Sequence, residues 1–211
     1  MPSLSKEGQV KNLTSSKEIN VIVIGTSSGG VEALCKILPS FKKESNLSCA
    51  VVIHLPAKGQ NLIPSLIGPD SDFQIKEAES GEKILPHTIY IAPSDYHLCM
   101  EPNGTLSLSS EEPVHYSRPA IDMLFESAAY AYNKTLLGIL LTGSSSDGAQ
   151  GLKTIKELGG TTIVQDPKDS IFPIMPQAAL SIFEPDYVLS IDEISSFISN
   201  IAYKGRFYGT T

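Results

Sequence analysis

The chain has no tryptophan, and its three cysteines, Cys35, Cys49 and Cys99, form no C-x-x-C pair. An odd, scattered set of thiols excludes a disulfide framework and a cysteine-based zinc site, and predicts reduced, mostly buried thiols. Histidine is scarce as well, with four in 211 residues and none paired at metal-ligand spacing. His97 and Cys99 stand two apart on a strand-like run, but two ligands without partners do not hold zinc, so no metal is expected. Basic charge is in short supply: the net charge is -7 and the pI is near 5.1. A surface that tracks phosphates is therefore not expected, nor is a nucleic-acid partner. No apolar run approaches the roughly 20 residues that a membrane span needs. The opening Met-Pro-Ser-Leu-Ser-Lys is polar, which predicts no signal peptide, no membrane insertion and a cytoplasmic chain.

What is present is a hydrophobic content of 41%, enough for the core of one large α/β domain. Residues 1–19 are rich in Ser, Lys and Asn without apolar periodicity and read as a flexible polar tail. From Asn20 onward strand-like and helix-like runs alternate: strand Val21 to Ile24, helix Val31 to Leu38, strand Ala50 to His54, helix Asn61 to Ile67, then strands Ile75 to Ala78 and Ile89 to Ala92. His97 to Glu101 and Thr105 to Ser109 flank Pro102-Asn103-Gly104, a hairpin signal. Helix Ala120 to Tyr132, strand Leu136 to Thr142, helix Ala149 to Leu158 and strand Thr161 to Gln165 resume the alternation. A short helix at Met175 to Ile182, a strand at Tyr187 to Leu189 and a helix from Ile191 to Tyr203 complete it. Ser190 and Glu193 are spaced as a capping box before the last helix. The fold class this predicts is α/β: a doubly wound, mostly parallel sheet with helices on both faces and a small antiparallel hairpin excursion. The domain spans residues 20–203, with a short C-terminal tail at 204–211.

The chemistry gathers where such sheets collect it, in loops at the carboxyl ends of strands. Gly25-Thr26-Ser27-Ser28-Gly29 fits G-x-S-x-G between a strand and a helix. This nucleophile-elbow pattern holds a serine hydroxyl beside a helix N-terminus rich in free N–H donors. A second loop opens at His54 and a third runs from Thr142 to Gly148, with Asp147 near its end. A serine nucleophile needs a base to take its proton, and the base needs a carboxylate to fix its tautomer. Ser27, His54 and Asp147 can supply all three. Taken singly each has a plainer explanation: a helix cap, a core histidine, an Asp-Gly turn. The order Ser, His, Asp also differs from the Ser, Asp, His of the α/β-hydrolase fold.

The sequence closely resembles the catalytic domain of the chemotaxis protein-glutamate methylesterases, the CheB family. The likeness runs from about Val21 to Ile198 and rests on many ordered segments. These include Ile24 to Gly30, His54-Leu55-Pro56, Ile91-Ala92-Pro93 with Asp95 and His97, Arg118-Pro119 with Asp122, Leu141 to Gly143 through Asp147-Gly148, Gln165-Asp166-Pro167, and Met175-Pro176 with Ala178-Ala179. The resemblance implies hydrolysis of glutamyl methyl esters on the cytoplasmic helices of methyl-accepting chemotaxis receptors, and in many members deamidation of receptor glutamines, with no cofactor. Ser27 is then the nucleophile, His54 the general base and Asp147 the orienting carboxylate. Backbone N–H groups of Ser28, and more weakly Ser144, are oxyanion candidates. Arg118 is a candidate for holding acidic receptor side chains, the plainer reading being an ion pair with Asp122. The family's typical member carries a phosphorylatable receiver domain ahead of this one, whereas only a short polar stretch precedes Val21. The chain therefore reads as a catalytic domain alone. The run Ser144-Ser145-Ser146 also departs from relatives with methionine at its first position.

Two rival readings exist. The same glycine-rich loop resembles the cofactor loop of short-chain dehydrogenases, and Ser117, Tyr130 and Lys134 have that family's spacing. Against this, Val31 replaces the third glycine and His54 stands where an acidic ribose-binding residue is expected. The other rival is an inactive receptor-binding adaptor, which would have no need for three triad residue types at three strand ends.

Overall fold

The computed structural model describes residues 18–54, 64–65 and 71–204. The expected tails fall outside these residues except at 18, 19 and 204, and the expected helix at 61–67 except at 64 and 65. Seven strands form one parallel sheet: β1 (Val21–Thr26), β2 (Ser48–Ile53), β3 (Gln74–Glu77), β4 (Thr88–Ile91), β7 (Leu136–Leu140), β8 (Thr161–Gln165) and β9 (Tyr187–Leu189). Their order is β3-β4-β2-β1-β7-β8-β9. The expected excursion is the antiparallel pair β5 (His97–Met100) and β6 (Leu106–Ser109).

Strands buried on both faces read as continuous apolar runs, and successive side chains alternate between the faces. In β1, Ile22 and Ile24 join Val51 and Ile53 of β2 in one core layer. Val21 and Val23 join Ala50 and Val52 in the other. The first layer is covered by helices α1 (Gly30–Ile37) and α5 (Ile191–Lys204), through Leu34, Ile37, Ile194 and Ile198. The second is covered by α2 (Ile121–Tyr132), α3 (Ala149–Glu157) and α4 (Ile174–Ile182), together with the hairpin residues Leu98, Met100 and Leu106. Helix α5 starts at the expected capping box: the Ser190 N–H donates to Glu193 Oε2 at 2.8 Å and the Glu193 N–H to Ser190 Oγ at 3.4 Å. From β1 the chain first builds outward through β2 and later returns to add β7 on β1's other edge. The sheet's direction of growth therefore reverses between β1 and β7, the position where open α/β sheets form ligand crevices.

Candidate active site

Strand register brings Ser27 and His54 together. Thr26 pairs with Ile53 at the carboxyl ends of β1 and β2, and the His54 N–H donates to the Thr26 carbonyl at 3.2 Å. The next residue on each strand is Ser27 and His54, and neighbouring strands lie about 4.8 Å apart. Because Thr26 and Ile53 follow Gly25 and Val52, alternation turns Ser27 and His54 toward the face covered by α2. On the other edge of β1 the Ser27 N–H donates to the Thr142 carbonyl at 3.0 Å. All three loops singled out in the sequence thus open at the crevice between β2, β1 and β7.

Asp147 lies fully buried beneath His54 and receives its ring N–H: Nε2 stands 2.8 Å from Asp147 Oδ2. An ionised carboxylate only accepts, so Nε2 carries the proton and Nδ1 the free lone pair. The same carboxylate caps α2, accepting the Ile121 N–H on Oδ2 at 2.7 Å and the Asp122 N–H on Oδ1 at 3.0 Å. Burial alone would push its pKa up. The bonds from His54, Asp122 and Ile121 outweigh that and hold it below the ordinary aspartate value. Two glycines make the approach feasible. A Cβ on Gly25 would collide with Ile121 Cγ2, so only glycine lets the first turn of α2 press onto β1. Gly148, at the start of α3, has φ +87, which a side chain would strain.

Around Ser27 the backbone offers donors. The elbow turns through Gly29 at φ 77, and α1 begins at Gly30. Among the described residues the N–H groups of Ser28 and Gly29 have no acceptor, nor has that of Ser144. The Ser144 loop reaches the serine, since a Cβ on Gly143 would stand 3.0 Å from Ser27 Cβ. Thr142 ties the loops together. Its hydroxyl oxygen accepts the Phe172 N–H at 2.9 Å and lies 3.0 Å from the Ser28 carbonyl, while its own N–H donates to Gln165 Oε1 at 2.8 Å. Free N–H groups clustered at a helix start and an adjoining loop are suited to an oxyanion or other anion.

Arg118 does not pair with Asp122. Its guanidinium donates to Asp95 Oδ1 at 2.7 Å and 3.1 Å and to the carbonyls of Ser110 and Glu111, and the Arg118–Pro119 peptide bond is cis. Four bonds within the chain occupy the fork, so its first role is to pin the segment leading into α2. Asp122 turns the other way. Its Oδ1 accepts the Gly151 N–H at 2.6 Å, capping α3, and its Oδ2 lies 3.4 Å from His115 Nε2. The two helices and two carboxylates are cross-linked, with Asp147 just before α3 capping α2 and Asp122 on α2 capping α3. Burial raises the Asp122 pKa to about 6, with the nearby Asp147 and Glu126 charges adding to it and the Gly151 bond opposing.

His97 is a buried, satisfied core residue. The Ala120 N–H donates to Nδ1 at 3.1 Å, so Nε2–H donates to the Glu112 carbonyl at 3.2 Å. No group of three or more metal-ligating side chains exists among the described residues. The three thiols are free, though only Cys49 is buried, while Cys99 is intermediate and Cys35 exposed, against the expectation of mostly buried thiols. Tyr130, the centre of the dehydrogenase spacing, is 68% exposed on α2. No described helix is long and apolar enough to cross a membrane. A hollow of about 620 Å3 between Leu180 and Val188 shares no residue with the His54 cluster.

One neighbour of His54 enters the sequence reading only through the dehydrogenase spacing, not as a partner of the histidine. Ser117 Oγ lies 3.5 Å from Nδ1. It arrives on a turn whose central residues, His115 and Tyr116, are neither glycine nor asparagine, so ordinary turn signals do not mark it.

The fold has counterparts among known proteins. A family model described as CheB methylesterase matches residues 22–198. A chain of Leptospira interrogans, provisionally named a protein-glutamate methylesterase/protein-glutamine glutaminase, is 42% identical over 174 residues, covering 82% of this chain and 90% of that one. The protein-glutamate methylesterase/protein-glutamine glutaminase of Clostridium acetobutylicum is 34% identical over 190 residues, 90% of this chain but 55% of that protein. This chain thus spans about half the length of that relative, as it does of the Rhodospirillum rubrum one, of which it covers 49%. The catalytic domain of the Thermotoga maritima CheB methylesterase superposes with a TM-score of 0.82 at 31% identity, over 89% of this chain and 100% of that domain. With the doubly wound sheet and the cluster at its crevice already in hand, the likeness over nearly all of the described chain leaves no place for a dehydrogenase, and the chain belongs to the CheB methylesterase family.

Proposed function

We propose that this chain hydrolyses glutamate methyl esters on the cytoplasmic helices of chemoreceptors, and deamidates receptor glutamines, with Ser27 as nucleophile, His54 as base and Asp147 as its orienting carboxylate. The observation that carries the reading is the 2.8 Å bond between the part-exposed His54 Nε2 and the buried Asp147 at the strand end beside Ser27. That bond fixes the tautomer with Nδ1 as the basic nitrogen, the reverse of the serine proteases, where the aspartate holds Nδ1.

The Ser27 hydroxyl adds to the side-chain carbonyl of the glutamyl ester while Nδ1 takes its proton. The negative charge that develops on the carbonyl oxygen meets the free N–H groups of Ser28 and Gly29, with Ser144 across the crevice. Collapse breaks the bond to methoxide, Nδ1–H supplies its proton, and methanol leaves. Water then adds to the glutamyl-serine ester, again giving its proton to Nδ1; Nδ1–H returns that proton to the departing Ser27 oxygen, and the glutamic acid released ionises to solvent as the carboxylate. With a glutamine substrate the leaving group is ammonia and the other steps are the same. Since Arg118 is held by Asp95 and two carbonyls, it pins the segment leading into α2 and does not reach out as a free cation.

The test is methanol release from a methylated receptor. Ser27→Ala is expected to abolish release while the fold persists by circular dichroism, and Ser28→Ala, which keeps its backbone N–H, to be much milder. Full activity in Ser27→Ala would overturn the assignment.

A further inference from the structure

The turn from Val114 to Ser117 is closed by two backbone bonds, Ser117 N–H to the Val114 carbonyl at 2.9 Å and Val114 N–H to the Ser117 carbonyl at 3.2 Å. Its central residues His115 and Tyr116 have φ of 50 and 62. Two successive left-handed residues define the primed hairpin turn that Asn-Gly normally fills, and a histidine and a tyrosine there carry backbone strain. Burial does not compensate for it: Tyr116 is fully exposed at 103%, and His115 is exposed with one 3.4 Å contact to Asp122. What the turn does achieve is to set Ser117 Oγ 3.5 Å from His54 Nδ1. Among the described residues no other side-chain oxygen is within hydrogen-bond distance of that nitrogen, and Ser27 Oγ itself has no partner. On the far side of Ser117, Arg118 anchors the segment through Asp95 and the carbonyls of Ser110 and Glu111. The strained segment is therefore held firmly at the place where the reacting proton moves.

We propose that Ser117 is a positioning residue for His54, its hydroxyl donating to the neutral Nδ1 at rest and accepting from Nδ1–H once the ring has taken the serine proton. This rests on the assignment of Ser27 and His54 above. A hydroxyl has one donor and two acceptor positions and rotates to suit. At 3.5 Å the resting contact is at the far limit of a hydrogen bond, so Ser27 displaces it from the lone pair with little cost. Once the ring is charged the same contact becomes charge-assisted, shorter and about twice as strong. Ser117 thus favours the imidazolium over the imidazole, and support given to the charged ring is support given to the transition state. The charged neighbours of this ring are Asp147 at Nε2 and, on the segment carrying Ser117, the His115–Asp122 and Arg118–Asp95 pairs. A change at Ser117 alters none of their charges.

The experiment is steady-state methanol release from a methylated receptor, across pH, for the parent, Ser117→Ala, Ser117→Thr and Ser27→Ala. Ser117→Ala is expected to lose roughly 3- to 10-fold in kcat with KM held within about twofold, as befits a contact that strengthens only in the transition state. Its acid limb in kcat/KM should move to lower pH, because the charged ring has lost an acceptor, and Ser117→Thr should restore both. A purely structural role would lower stability without moving the limb. Parent turnover and an unmoved limb in Ser117→Ala, with Ser27→Ala inactive, would overturn the role of Ser117 and leave the nucleophile standing. An inactive Ser117→Ala beside an active Ser27→Ala would instead make Ser117 the nucleophile and overturn both. Should Ser117→Ala fail to fold, Ser117→Cys, whose thiol is a weaker partner, decides in its place. A smaller shift of the limb in the same direction is then expected, and an unmoved limb overturns the proposal.

Discussion

At the scale of single residues, Asp147 has two tasks that separate it from its partners. It receives the His54 ring N–H and, with the same two oxygens, closes the N-terminus of α2 through Ile121 and Asp122. Ser27, by contrast, has a side chain with no bond to lose among the described residues. Asp147→Asn places an amide NH2 where one of three donors must find an acceptor, and an unmatched buried donor costs about 1–3 kcal/mol. The variant is therefore expected to lose stability, seen as a lower melting temperature, along with turnover reduced on the order of 10⁴, the loss seen when a triad carboxylate becomes an amide. His54→Ala should lose turnover by several orders of magnitude. Ser27→Ala should lose turnover as severely while melting close to the parent. Equal melting temperatures for Asp147→Asn and Ser27→Ala would contradict the capping role. Two residue-scale contacts were not legible in the sequence. Asp122 and Arg118 are close enough along the chain to suggest each other, yet each is satisfied by a partner more than twenty positions away, Gly151 and Asp95. Charge and spacing name candidates for a pair but not which side of a strand or helix each will face.

At the scale of elements, periodicity gave nearly everything. The apolar runs at 21–24, 136–142 and 161–165 became β1, β7 and β8, the capping box started α5, and Asn103-Gly104 marked the hairpin. Strand ends shifted by one or two residues because the last residues of β1 and β2 are Thr26 and Ile53, which pair before the loops diverge. What period and propensity cannot supply is the close packing of one element's backbone on another. Gly25 is the instance that matters for the site, since α2 sits on it and thereby delivers two N–H groups to Asp147. Gly138 on β7 is a matched control: a Cβ there would meet Ile155 Cδ1 at 2.6 Å and Leu152 Cδ1 at 2.7 Å, the flexible ends of side chains on α3. Both alanine variants overfill a core and should cost about 1–3 kcal/mol. Only Gly25→Ala displaces the first turn of α2 from β1, so it should also lose at least about tenfold in kcat, whereas Gly138→Ala keeps its turnover once folded. Equal kcat in the two variants would show that Asp147 does not depend on the seating of α2.

At the scale of the whole molecule, the crossed carboxylates make stability depend on pH with two opposing signs. Asp147 is held below its ordinary value, so the stability it contributes is present above pH 4 and is lost as pH falls through its folded pKa. Asp122 is raised from 3.8 to about 6, and its sign is the reverse: the native state gains as pH falls from above 6 to below 4, where the protonated carboxyl is favoured, and loses that gain as pH rises through about 6. The displacement from 3.8 to about 6 corresponds to roughly 3 kcal/mol, which is several degrees of melting temperature for a domain of this size. The net charge of -7 at neutral pH falls toward zero near pH 5.1, so general repulsion acts in the same direction as Asp122. The melting temperature is therefore expected to rise from pH 8 to a maximum between pH 4 and 6 and to fall below it. Asp122→Asn separates the local effect from the general one. The asparagine keeps a carbonyl oxygen for the Gly151 N–H and removes the charge facing Asp147. It is expected to melt higher than the parent at pH 8 and to match it near pH 4, flattening the alkaline arm while leaving the acid arm to Asp147. An Asp122→Asn melting curve that runs parallel to the parent's from pH 4 to 8 would show that Asp122 is already ionised without cost in the folded chain, and that the crossed caps do not set the pH response.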